Sequence, residues 1–142
     1  MTPREVFEQL SERISAGRFG ELAELYAEDA VVEIVFEPRF ERRIEGRAAL
    51  DARFEQMVAA RPVDLVATNV VVRETDDPEV VVAEWDYQVH HLPTGRRFEV
   101  ANIQVLRVRD GLIVSSRDFH DHVGFALGGD RLEEFVAGLT RR

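Results

Sequence analysis

Asp118 stands in the run Ser116-Arg117-Asp118-Phe119-His120, where alternation puts Ser116, Asp118 and His120 on one face of an extended strand. Neighbouring strand-like runs carry Trp85, Tyr87, Asn102 and Gln104 at spacings that bring them to the same face if the strands pair antiparallel. A lone carboxylate among aromatic and amide side chains suits acid/base work. Burial against Trp85 and apolar walls raises a carboxyl pKa toward the range useful for taking a proton from carbon next to a carbonyl. Tyr87, Asn102 or Gln104 then supply hydrogen bonds to the enolate oxygen that develops. Other readings remain open at this stage. Asp118 can pair with Arg117 or Arg96, Trp85 and Tyr87 can be plain core, and Asn102 and Gln104 can satisfy each other. His90, His91, His120 and His122 invite a metal reading, with Asp118, His120 and His122 alternating along the chain. Residues two apart on a strand stand about 7 Å from one another, too far for three of them to hold one ion, so no metal and no cofactor are expected.

The elements that position these residues are three strand-like runs at 79–92, 97–109 and 112–121. Leu92-Pro93-Thr94-Gly95 and Arg109-Asp110-Gly111 are the turns between them, so the runs read as a meander. Val81, Ala83, Trp85, Tyr87 and Val89 share the drier face of the first run. Phe98, Val100, Asn102, Gln104 and Leu106 share one face of the second, and Leu112, Val114, Ser116, Asp118 and His120 one face of the third.

Upstream, Thr2 is the expected N-cap and Pro3 the first residue of a helix over 3–15, with Val6, Leu10 and Ile14 on one side. A second helix is expected over 19–26, a strand over 30–36, a loop or short edge strand over 38–46, and a third helix over 48–60 carrying Leu50, Phe54, Met57 and Val58 inward. A strand over 63–73 precedes the meander, and Gly128-Gly129 separates it from a final amphipathic segment over 130–139. The order implies an α+β fold with helices gathered on one side of a mainly antiparallel sheet.

The chain has 142 residues, 45% of them hydrophobic, which suits one domain over 1–142. With 27 acidic against 18 basic residues and a net charge of −9, nucleic acid is an unsuitable partner. No apolar run approaches the roughly 18 residues of a membrane span, and the start lacks the charged-then-apolar order of a signal peptide, so a soluble cytoplasmic chain is expected. Without cysteine there is no disulfide, thiolate metal site or cysteine nucleophile. Arg39, Arg42, Arg43 and Arg47 interleave with Glu37, Glu41 and Glu45 and read first as solvated surface, with a mobile rim over a pocket as the alternative.

The chain resembles the SnoaL-like proteins of the NTF2-like superfamily, which include polyketide cyclases, ketosteroid isomerases and limonene epoxide hydrolase. The resemblance rests on Ile14-Ser15-Ala16-Gly17, Leu25-Tyr26-Ala27-Glu28-Asp29-Ala30-Val31-Val32, Glu45-Gly46-Arg47, Pro93-Thr94-Gly95-Arg96, and the stretch from Val105 to Ile113 leading into Arg117-Asp118-Phe119-His120-Asp121. It implies a cone, a curved mainly antiparallel sheet wrapped on three helices of the N-terminal half, with a short C-terminal helix and a deep pocket. It also implies that Asp118 matches an acid of the epoxide hydrolase and resembles the general base of the cyclases. The hydrolase's other Arg and Asp positions fall on Trp85 and Tyr87, and the isomerase's Tyr and two acids fall on Leu10, Ile34 and Gln104, so neither set is complete.

Two functions follow as expectations. One is a cofactor-independent enzyme of cyclase or isomerase type acting on a small hydrophobic carbonyl compound, with Asp118 as base or acid and Trp85, Tyr87, Asn102, Gln104, Ser116 and His120 against the substrate. The other is a non-catalytic small-molecule-binding domain. Ala101, Ile103, Val105 and Phe119 make the outer sheet face too apolar for open water, which, with the resemblance, predicts a homodimer through that face.

Overall fold

The computed structural model describes residues 1–39, 41–60 and 62–140. Helix α1 (Pro3–Ser15) begins as its sequence dictates. The Thr2 hydroxyl accepts from the Glu5 backbone N–H at 3.2 Å, and the Glu5 carboxylate accepts from the Thr2 N–H at 3.2 Å, so the first turn's donors are satisfied. Val6, Phe7 and Leu10 are buried on its inner face.

The expected second helix does not form. Phe19–Glu21 and Ala23–Leu25 are two short 3₁₀ turns, and strand β1 (Tyr26–Ile34) starts at Tyr26. Eight residues containing Gly20 cannot meet the cost of helix nucleation, whereas Tyr26 finds a ladder partner in Ile113. The apolar residues still reach the core, and Phe19, Leu22, Ala23 and Leu25 are all buried. Within the segment expected to be loop or edge, Arg43–Glu45 forms a short edge strand, β2, against β1. Helix α2 (Arg47–Ala59) buries only Leu50 fully, and Met57 and Val58, expected inward, are 42% and 46% exposed. α2 packs on β1 and β2 at one margin of the sheet, so its inner side faces a hollow rather than a filled core.

Strands β3 (Val63–Glu74), β4 (Val80–His91), β5 (Arg97–Arg109) and β6 (Leu112–His120) complete a six-stranded sheet in the order β2-β1-β6-β5-β4-β3. Every pairing is antiparallel except β1 with β6. The Asp110-Gly111 turn takes positive φ at both residues, 53° and 76°, as a primed hairpin turn demands. The β1–β6 ladder shifts register between Tyr26 and Val31, and two bulges bend the antiparallel part of the sheet. One lies in β3 at Asn69 and Val70, with Asn69 at φ 54°. The other lies in β6, where Arg107 pairs with Ser115 but Val108 with Ile113, leaving Val114 as an extra residue. The alternation expected along 112–120 therefore breaks: Ile113 is buried where Leu112 and Val114 were expected, and Ser116, Asp118 and His120 face inward as expected.

The sequence reading also missed helix α3 (His122–Gly128), which Asp121 caps by accepting from the Gly124 N–H at 2.8 Å. It is followed by α4 (Leu132–Leu139). The chain thus has two α-helices before the meander and two after it, wrapped by the inner face of the curved α+β sheet.

Candidate functional site

The inner face of the sheet and the helices enclose a cavity of about 410 Å³. α1 contributes Phe7, Leu10 and Ile14, α2 contributes Leu50, Phe54 and Met57, and the sheet floor contributes Trp85, Tyr87, Gln104, Asp118 and His120. Pleat and register explain the floor. Gln104 pairs across the ladder with Asp118, Asn102 with His120, and Trp85 with Asn102, so these side chains stand as neighbours on one face.

Asp118 is half-buried and lines the cavity. Its Oδ1 accepts from Gln104 Nε2 at 3.0 Å and from the Ser116 hydroxyl, and among the described residues no donor reaches Oδ2. The arginines considered as its partners go elsewhere: Arg117 is exposed and lies over the Phe119 ring, and Arg96 donates to Leu127 O. Burial pushes the Asp118 carboxyl above the usual carboxylate range, against the pull of His120, the hydrogen bonds from Ser116 and Gln104, and the charge of Arg53.

Asn102 and Ser116 do not line the cavity; they sit one layer behind it. Ser116 also accepts from Gln104 Nε2 at 2.9 Å, so the amide clamps hydroxyl and carboxylate together. Asn102 donates from Nδ2 to Val100 O at 3.2 Å, which leaves its Oδ1 to accept from His120 Nδ1 at 2.8 Å. The proton of a neutral His120 is thereby assigned to Nδ1, and Nε2 keeps its lone pair. Burial holds this imidazole below its ordinary pKa, although the Asp118 carboxylate pulls the other way.

Two phenols share the cavity with these groups. Tyr87 was legible in the sequence, whereas Tyr26 was placed at the end of a helix rather than at the start of β1. Burial pushes both hydroxyls well above the usual tyrosine range, and the charge of Asp118 adds to the rise in each, so both stay protonated donors. Trp85 packs on Phe7 at 5.2 Å and on Tyr87 at 5.7 Å between ring centroids.

The charged run read as solvated surface is in part a wall. Glu37 is buried, Oε1 accepts from the Arg39 backbone N–H at 2.9 Å and from its Nε at 3.3 Å, and Oε2 lies 3.6 Å from His122 Nδ1. Burial raises the Glu37 carboxyl, but Arg39 and His122 outweigh it and bring it below the usual range. Glu37, Arg39, His122 and Arg53 all line the cavity, and strand alternation does not reveal them because they come from a turn, the start of α3 and the middle of α2. The only sequence signal was Asp121 ahead of an apolar run, a helix start that would have moved His122 from strand to cavity rim. Trp85 Nε1, Gln104 Oε1 and His122 Nε2, all on cavity-lining residues, are buried without hydrogen-bond partners among the described residues. A ligand bearing a few polar groups on an apolar body suits that pattern. No group of three or more His, Asp or Glu side chains among the described residues converges closely enough to hold a metal ion, and no helix among them is long and apolar enough to cross a membrane.

The sequence profile of the SnoaL-like domain matches residues 7–116. YesE, an uncharacterised protein of Bacillus subtilis (strain 168), is 31% identical over 118 residues, 81% of this chain and 80% of YesE. Among solved structures, a provisionally assigned isomerase from Bacillus subtilis superposes with a TM-score of 0.80 at 25% identity, over 91% of this chain and 93% of that one. A provisionally assigned polyketide cyclase from Pseudomonas putida superposes with a TM-score of 0.75 over 90% of this chain and 98% of that one, its 19% identity showing a shared fold alone. The cone, its cavity and a profile match spanning most of the chain lead to one conclusion: this chain belongs to the SnoaL-like family of the NTF2-like superfamily.

Proposed function

We propose that this protein is a cofactor-independent acid/base catalyst that enolises a small hydrophobic carbonyl compound, with Asp118 as the base. The observation that carries the reading is a half-buried carboxylate on the floor of a mainly apolar cavity, its Oδ1 clamped by Gln104 and Ser116 and no arginine bound to it among the described residues. In the ionised form it takes the proton from the carbon next to the carbonyl. The electron pair of that C–H bond becomes a carbon–carbon double bond as the carbonyl π pair moves onto oxygen, where the Tyr87 or Tyr26 hydroxyl donates to the enolate. Return of the proton to another carbon isomerises the compound; alternatively the enolate carbon attacks a second carbonyl and closes a ring, and the alkoxide formed there takes the proton that Asp118 removed. The provisional assignments of two similar solved structures, one as an isomerase and one as a polyketide cyclase, name reactions in keeping with these two outcomes. His120 Nε2, unprotonated while Nδ1 serves Asn102, can receive the proton from Asp118 between steps.

The test needs no knowledge of the natural substrate. A panel of apolar ketones and 1,3-dicarbonyl compounds is incubated with the protein in D2O, and deuterium uptake at carbon is followed by mass spectrometry. Exchange by the parent protein that is lost in Asp118→Asn is expected. Undiminished exchange in that variant would remove Asp118 from the role. The largely apolar wall equally suits a pure binding domain, which ligand binding without exchange by any panel member would favour.

The proposal extends to assembly. Ala101 and Ile103 are exposed on the outer sheet face, with Val105 and Phe119 half-exposed beside them, and a second copy is the occupant we propose. A monomeric mass by light scattering at micromolar concentration would refute the dimer.

A further inference from the structure

The chain carries a net charge of −9, yet the cavity wall includes three arginines from separate places: Arg39 on the turn after β1, Arg53 on α2, and Arg131 ahead of α4. Arg39 is committed, with its Nε on Glu37 and its guanidinium 4.4 Å from the Phe135 ring centroid. Arg53 and Arg131 are exposed while lining the cavity, so their head groups stand at its opening, and neither forms an ion pair among the described residues. Of the arginines without an ion pair among the described residues, Arg53 and Arg131 are the two that also line the cavity. Arg53 borders a shallow groove with Glu41, Arg43 and Glu45 on its far side, but Arg43 already holds Glu45 there.

The charge of Arg53 is felt inside the cavity, where it contributes to lowering Asp118, His120 and His122 together. The interior has the opposite character. Asp118 lies on the floor and Glu37 in the wall, so an anionic group that entered deeply would meet two carboxylates with little water to screen them. A ligand with a negative end is therefore held one way round, charge outward and apolar body inward. A guanidinium offers a planar fork that matches a carboxylate in two hydrogen bonds, which a point charge would not.

We propose that the ligand of this cavity is an amphipathic carboxylate whose anionic end is received by Arg53, with Arg131 beside the opening, while its uncharged end reaches Asp118. This rests on the cavity being the ligand site, as the proposed function holds. It adds the substrate class, a carbonyl compound carrying a carboxylate at its far end.

Trp85 is the only tryptophan and lines the cavity, so its fluorescence reports occupancy directly. The probes are decanoate and 1-decanol, equal in length and differing in charge, titrated at pH 7.5. Decanoate is expected to bind the parent protein at least tenfold more tightly, and the preference should shrink as salt is raised from about 0.02 to 0.5 M. Arg53→Met should abolish the preference while decanol still binds, and Arg53→Lys should restore part of it. Equal or tighter binding of decanol, or a preference that survives Arg53→Met, overturns the carboxylate subsite and leaves the chemistry of Asp118 standing. Deuterium exchange that persists in Asp118→Asn overturns that chemistry and leaves the subsite standing. Binding of neither probe counts against both.

Discussion

Replacing Asp118 by asparagine separates a residue that works from one that merely holds the sheet together. The amide keeps the shape and can keep both hydrogen bonds to Oδ1, from Gln104 Nε2 at 3.0 Å and from the Ser116 hydroxyl. Its nitrogen takes the place of Oδ2, which no donor reaches among the described residues, so no bond is forfeited there. Each retained bond loses its charge assistance, falling from about 1.5–3 to about 0.5–1.5 kcal/mol, a loss of roughly 2 kcal/mol for the pair. Against this stands relief from burying a carboxylate, which acts in the opposite direction. Stability should therefore stay within about 2 kcal/mol of the parent, while proton abstraction falls by about 10²–10⁴-fold, equivalent to roughly 3–5 kcal/mol of barrier.

The pH dependence carries a sign. Because the folded carboxyl is raised, its contribution to stability is fully present below the unfolded value of about 3.9 and is lost as pH rises through the folded value. The amide does not titrate, so the melting temperature of the variant minus that of the parent should become more positive from about pH 4 upward. Thermal melts across pH, run beside the deuterium-exchange assay, read both quantities. Destabilisation well beyond 4 kcal/mol, on the order expected for a broken buried pair, with exchange falling only in proportion to unfolded protein, would refute the assignment and make Asp118 structural.

Three further outcomes are expected. Leu50→Ala removes a side chain only 1% exposed from the core beneath α2 and should cost about 2–5 kcal/mol in denaturant unfolding. Gly128→Ala places a Cβ 2.5 Å from carbons of the Phe98 ring, so α3 must shift away from β5; about 1–3 kcal/mol of lost stability in the same measurement should accompany weaker ligand binding, since Phe125 and Ala126 of α3 line the cavity. Glu37→Ala takes the carboxylate from His122 and two hydrogen bonds from Arg39 and should destabilise by roughly 2–4 kcal/mol at pH 7; because the Glu37 carboxyl lies below its usual range, that difference is present above the unfolded value of about 4.3 and should fade in melts taken as pH drops through the folded value.

The floor of the site was legible because strand alternation is a strict code: Trp85, Tyr87, Gln104, Asp118 and His120 were all expected on one face and all line the cavity. Asn102 and Ser116 were read onto the same face correctly, but alternation does not say how deep a side chain sits, and both lie behind the surface. The roof was less legible. Glu37 is buried and Arg39 half-buried in a turn that meets Phe135 and His122 from far along the chain, and a charged run carries no local mark of such contacts. Tyr26 moved from helix to strand because its partner, Ile113, is contributed by the far end of the sequence.

The bulge at Val114 gives the molecule an arithmetic it cannot relax. Without the bulge, a strand of this sequence that buries Ile113 would present Ser115, Arg117 and Phe119 to the hollow and turn the acid and the imidazole out to bulk water. Excising Val114 would leave Ile113 and Ser116 two residues apart, so that plain alternation keeps the acid inward, whereas drawing Val114 into the ladder would invert the wetting of the whole strand; reactivity here is written as much in register as in residue identity.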